Sequence, residues 1–264
     1  MRIGLVDIGV NLTHAQFNAD RAQVIDRALD AGVQTMVLTG TDVRSSQAAL
    51  ELARRYPGTL YSTAGVHPHD ARRCGPGTID SLRQLAGQAQ VVAIGECGLD
   101  YNRDFSPRPV QQKWFEDQVI LARELRMPLF LHERDAHGAF VEILSRHKEG
   151  LPPAVVHCFT GTGEELDTYL RMGLFIGITG WICDERRGNH LLELVRRIPL
   201  DRLMLETDAP FLTPRNVRPA PLDRRNEPAY LVYVLDVVAR ALGRSREEVA
   251  AATTKNARDF FRLP

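Results

Sequence analysis

VVAIGECGLDYNRDFSPRPVQQKWFEDQVILARELRMPLFLH, residues 91–132, decides the fold. Its first part, VVAIGE (91–96), is an apolar run of strand length without alternation, as in a strand covered on both faces, and it stops on Glu96. VQQKWFEDQVILARELRM (110–127) then reads as a helix that ends before Pro128. MPLFLH repeats the strand pattern and stops on His132. Strand, helix and strand in that order require parallel pairing with a right-handed crossover.

The same unit recurs in both directions. Strand-like runs fall near 3–8, 33–39, 59–66, 91–96, 128–132, 154–158, 173–178 and 202–206, with helical patterns such as DRAQVIDRALDAG (20–32) between most of them. Eight such units in 264 residues predict an α/β fold, a single-domain (β/α)8 TIM barrel over 1–264, ahead of a doubly wound open sheet. The longest irregular stretch, 207–227, carries Arg215, Arg218, Arg224 and Arg225 and follows the last strand, on the face where such barrels keep their sites. Two helical patterns close the chain, the second opening with Ser245 as an N-cap and Glu248 three residues later.

Composition narrows the function. Lys plus Arg equals Asp plus Glu at 33 each, so any contact with a polyanion has to be local. With 44% hydrophobic and 25% charged residues and no long apolar run, the chain reads as a soluble protein with no membrane span. The start of the sequence lacks the pattern of a secretory leader, and a cytoplasmic monomer is the expectation. Cys74, Cys97, Cys158 and Cys183 contain no C-x-x-C pair, which argues against a zinc knuckle or redox motif. Cys97 and Cys158 read as packing residues turned away from the neighbouring Glu96 and His157.

Four strand-like runs stop on potential metal ligands: Glu96, His132, His157 in PAVVH, and Asp208 in RLMLETD. One buried histidine or acid at a strand end is more often a hydrogen-bonded structural group. Four on the same rim of a barrel instead describe a divalent-metal site, with mixed nitrogen and oxygen donors suited to Zn, Mn, Fe or Mg. GVHPH adds His67 and His69 after the third strand. His67 continues the strand and is preferred as the pocket residue, able to donate to a phosphate, whereas a solvated loop histidine is the plainer reading.

DIGVNLT (7–13), LTGTDVRSSQ (38–47), STAGVHPHD (62–70), VVAIGECGLDYNR (91–103), HERDAH (132–137), VVHCFTGT (155–162), IGITGWICDERRG (176–188), LETDAPFL (205–212) and RRNEP (224–228) together resemble the TatD-type family of metal-dependent nucleases. The resemblance spans nearly the whole chain. It implies a (β/α)8 metal-dependent hydrolase that removes nucleotides 3′ to 5′ from single-stranded DNA or RNA with magnesium. Glu96, His132 and His157 match the family's metal ligands, Asp208 matches the carboxylate that binds metal or activates water, and His67 matches a histidine near the substrate phosphate. Most relatives carry D-x-H-x-H on the first strand, where this chain has Asp7, Gly9 and Asn11. Loss of two imidazoles leaves Asn11 and Asp7 as possible oxygen donors, which favours a hard ion, Mg²⁺ first, with Mn²⁺ or Zn²⁺ as alternatives.

The expected chemistry is in-line attack of water on a phosphodiester. Glu96, His132 and His157 hold the ion, Asp208 acts as general base, and His67 with an arginine of DERRG or RRNEP stabilises the phosphoryl charge. Arg186, Arg187, Arg224 and Arg225 are the candidates, with solvated surface arginine as the competing reading. Asn11 is a further substrate-side candidate. Among Tyr101, Phe159, Trp181 and Phe211, all placed after strand ends, Trp181 is the first choice for stacking a base. Hydrolysis of another bond, including aminoacyl-tRNA deacylation, fits the same fold and metal. A non-catalytic nucleic-acid-binding relative would also explain the missing histidines.

Overall fold

The computed structural model describes residues 4–221 and 223–264. The apolar runs become strands β1 (Leu5–Val10), β2 (Val33–Leu38), β3 (Leu60–Ala64), β4 (Val91–Asp100), β5 (Leu129–Arg134), β6 (Ala154–Val156), β7 (Phe175–Ile178) and β8 (Leu203–Leu205). Between and after them lie α1 (Arg21–Asp30), α2 (Val43–Arg55), α3 (Thr78–Ala86), α4 (Arg108–Leu125), α5 (His137–Arg146), α6 (Gly163–Arg171), α7 (Asn189–Leu194), α8 (Leu231–Leu242) and α9 (Arg246–Phe261). Sheet order follows chain order and the pairing is parallel, which is the expected (β/α)8 architecture. Ile3, placed in the first run by the sequence, and Leu222, in the long connection, lie outside the described residues.

Two compact units make up the chain, Thr39–His157 and a second that joins residues through Leu38 to Cys158–Pro264. In Thr39–His157, β3 to β6 pair in parallel, with Ser62 opposite Val91, Ile94 opposite Leu129 and Leu129 opposite Ala154. All ten residues of β4 are buried. Helix α4 packs against β4 and stacks Phe115 on Phe140 of α5, with ring centroids 5.2 Å apart. It also carries two buried amides, Gln111 and Gln118. Buried amides need partners. Gln118 clamps Val66, accepting its N–H at 2.7 Å and donating to its carbonyl at 3.1 Å. Gln111 does the same to Asp100, at 2.8 and 3.1 Å. One helix face thus fixes the backbone beside His67 and at the end of β4.

In the second unit β1 pairs with β2 and β7 with β8, each in parallel. Helix α9 lies against β1 and β8, and its Asn256 donates to the carbonyls of Leu200 and Leu203, both at 2.8 Å. Ser245 accepts the Glu248 N–H at 3.1 Å, the cap read from the sequence. The connection after β8 is tied down by RRNEP. Arg225 donates to both carboxylate oxygens of Asp20 at 2.8 and 2.7 Å, to Glu227 at 2.8 Å and to the Gln16 carbonyl at 2.8 Å. Arg27 of α1 donates twice to Glu227, at 2.8 Å each. Nη1 and Nη2 of Arg225, a candidate substrate contact, are engaged in this clasp.

Candidate metal centre

Glu96 lies within β4, not at its end. Gly95 pairs with Phe130 and Cys97 with Leu131, so Glu96 is the extra residue of a bulge. A bulge re-aims the residue it inserts. Two glycines make it possible: a Cβ on Gly95 (φ 139°) would sit 2.2 Å from the Phe130 carbonyl oxygen, and one on Gly98 (φ 148°) only 1.8 Å from that of His132. The strand resumes its register beyond the bulge, with Gly98 opposite His132 and Asp100 opposite Arg134. Cys97, next to Glu96, is fully buried with its thiol pushed up by burial, in keeping with packing. Cys158 is half-buried, its N–H donating to the buried Glu206 at 2.5 Å.

Three imidazoles converge on one oxygen of Glu96. His157 Nε2 lies 2.7 Å, His132 Nδ1 3.0 Å and His67 Nε2 3.3 Å from Oε1. Donor atoms of His67, Glu96 and His132 all fall within 4.8 Å of one another. Burial works toward protonating Glu96, but His157, His67 and His132 outweigh it and hold the carboxyl well below its ordinary range. Burial likewise opposes charge on His132, yet Asp100 and Glu96 raise it. His67 behaves differently, lowered to about 4 chiefly by burial. Its Nδ1 accepts the His69 N–H at 3.1 Å, so the neutral ring carries its proton on Nε2 and faces the centre as a donor.

Asp100 and His69 extend the cluster. His69 Nε2 lies 2.7 Å from Asp100 Oδ2, and His132 Nε2 lies 3.5 Å from the same oxygen. Burial pushes Asp100 up, but His132, His69 and the Arg103 N–H prevail and keep it ionised. His132 Nε2 is buried without a hydrogen-bond partner. An orphaned imidazole nitrogen facing a carboxylate, beside a carboxylate oxygen ringed by nitrogens, is a donor set that fits a divalent cation. Sequence reasoning missed Asp100 because the strand was ended at Glu96. The signal was LD closing the same apolar run. Phe105, also missed, is 52% exposed and packs edge-on against His69 at 4.7 Å.

Asp208 and Asn11 belong to the other unit. Asp208 adopts a left-handed conformation (φ 53°), its N–H donates to the Gly9 carbonyl at 2.9 Å, and Asn11 Nδ2 donates to its Oδ1 at 2.9 Å. Asp7 is fully buried and accepts the Thr207 N–H (2.9 Å), the Thr207 hydroxyl (2.5 Å) and the Gly9 N–H (3.3 Å). Burial outweighs these bonds and pushes its carboxyl up to about 8. Its carboxyl group thereby holds Thr207 by backbone and hydroxyl. Arg186 bonds Asp184 at 3.1 and 3.0 Å, and the Arg187 guanidinium lies 5.8 Å from the ring of half-buried Trp181. Phe159 is buried as packing, Tyr101 lies under Arg108, and Phe211 is 47% exposed.

Residues 6–262 match the family model described as TatD related DNase. Over 258 residues the chain is 54% identical to the 3′-5′ ssDNA/RNA exonuclease TatD of Dickeya dadantii (strain 3937), covering 98% of both chains. The solved structure of a TatD homolog from Escherichia coli k12 is 28% identical, with a TM-score of 0.91 and full coverage of both chains. That of a TatD family hydrolase from Entamoeba histolytica is 26% identical, with a TM-score of 0.89 and the same coverage.

Proposed function

Because the chain belongs to the TatD-related DNase family, we propose that it is a metal-dependent nuclease that removes nucleotides 3′ to 5′ from single-stranded DNA and RNA. The observation that carries this reading is the convergence of His157, His132 and His67 on Glu96 Oε1. Glu96, His132 and His157 are the residues we assign to the ion, with Mg²⁺ preferred and Mn²⁺ or Zn²⁺ as alternatives to be compared. A divalent ion at such a site acidifies water and screens the charge that grows on phosphoryl oxygens.

His67 donates from Nε2 to a phosphoryl oxygen, a role that suits a ring kept neutral by burial. Asp208 takes the proton of the attacking water, an assignment that rests on LETDAPFL and on its fixed carboxylate. Trp181, Arg186, Arg187 and Arg225 remain the candidates for binding the strand, and Phe105 joins them. Among the described residues no helix is long and apolar enough to cross a membrane, and we read the protein as a cytoplasmic monomer.

The test is degradation of 5′-labelled single-stranded DNA and RNA with EDTA, Mg²⁺, Mn²⁺ or Zn²⁺, beside Glu96→Ala and His157→Ala. Stepwise shortening that needs a divalent ion and falls about a hundredfold or more in both variants is expected. Equal degradation by wild type and variants overturns the reading.

A further inference from the structure

The RRNEP segment has a second task beside the Arg225 clasp. Asn226 is fully buried, and its side-chain amide donates to the carbonyls of Thr207 (2.9 Å) and Phe211 (2.6 Å), one on each side of Asp208. Its backbone N–H donates to the Pro210 carbonyl at 3.0 Å, and its Oδ1 accepts the Glu227 N–H at 2.9 Å. Both amide hydrogens, the amide oxygen and the backbone N–H are therefore engaged, three of these bonds holding the Thr207–Phe211 turn. From the opposite side Asp7 grips the backbone and hydroxyl of Thr207. The turn needs such support because Asp208 sits at φ 53°, a conformation that costs a residue other than glycine free energy.

Asn11 acts on the side chain that this turn presents. A carboxylate only accepts, so the 2.9 Å contact with Asp208 Oδ1 is made by the NH₂ of the Asn11 amide. The Asn11 N–H also donates to the Ala209 carbonyl at 2.7 Å, which ties its strand end to the same turn. We infer that Asn11 and Asn226 are positioning residues for Asp208, Asn226 fixing its backbone and Asn11 the orientation of its carboxylate. In this chain Asn11 thus stands in the first-strand motif as a hydrogen-bond donor to the base. The inference rests on the proposed role of Asp208 in phosphodiester hydrolysis.

The experiment compares kcat, KM and Tm of wild type, Asp208→Asn, Asn11→His, Asn11→Ala, Asn11→Asp, Asn226→Asp and Asn226→Ser with the labelled single strands. Asn11→His, which retains an N–H donor, is expected to keep more activity than Asn11→Ala, and Asn11→Asp, of equal size but without a donor, to lose most. Losses of about tenfold or more in kcat, with KM and Tm nearly unchanged, are expected for Asn11→Asp. A purely structural position would lose Tm together with kcat, whereas a positioning residue loses kcat at retained Tm. Asn226→Ser keeps one donor for two carbonyls and serves where Asn226→Asp is too unstable; a fall in kcat with KM retained is expected of it. Wild-type kcat in Asn11→Asp, or in either folded Asn226 variant, overturns the inference. Wild-type activity of Asp208→Asn instead overturns the assigned role of Asp208.

Discussion

Gly98 carries the tightest steric constraint beside the candidate centre, since any Cβ there meets the His132 carbonyl oxygen, which is backbone and cannot swing aside. Gly98→Ala is expected to destabilise the protein by about 3 kcal/mol or more and to displace His132. Denaturant unfolding measures the first effect and loss of divalent-ion binding by calorimetry the second. His67 leads to a different outcome. His67→Ala leaves Glu96, His132 and His157 in place, so ion binding should persist while kcat falls by about a hundred- to a thousandfold, the usual contribution of one positioned donor to developing charge. Retention of full kcat would remove His67 from the chemistry. At this scale the sequence revealed Glu96, His132, His157 and His67, because each stands out as a polar residue closing an apolar run. Asp100 stayed hidden because the glycines of β4 read as the strand's end, and Asn226 and Phe105 because an asparagine and a loop phenylalanine have no distinctive spacing and take their significance from partners that the fold brings to them.

Among the elements, α4 positions more than it covers. Gln118→Leu would leave the N–H and carbonyl of buried Val66 without partners, with an expected loss of about 1–3 kcal/mol for each group left unsatisfied, read as a lower Tm. The connection after β8 responds to pH. Hydrogen bonding to Arg225, against some burial, lowers Asp20 to about 2 from an ordinary value of 3.8. Its contribution is therefore complete above about pH 4 and is lost as pH falls toward 2. Solvent screens this pair, so the acid-side loss should be about 1 kcal/mol or less, weaker in high salt, and absent in Asp20→Asn. A pH series of denaturation curves checks it. Helix and strand order were legible because periodicity switches cleanly between the two. The length of β4 was not, since the glycines that permit the bulge read locally as a strand's end.

For the whole molecule, the strand count and the family match over 6–262 agree with one (β/α)8 chain, and we propose that it melts as a single domain. One calorimetric transition is expected, and two separated transitions would contradict it. Mg²⁺ should raise that transition in wild type by mass action and leave Glu96→Ala unmoved. Eight strands could be counted in the sequence because each is short, apolar and followed by a helix. The division into two compact units could not, because it depends on which distant segments meet. That division has a consequence for biosynthesis. Glu96, His67, His132 and His157 all lie in Thr39–His157, an unbroken piece of chain, whereas β1 belongs with α9, which is synthesised long after it. As a ribosome releases the chain in order, the segment with the histidine cluster is available to fold before α9 has been made, while β1 waits for that helix.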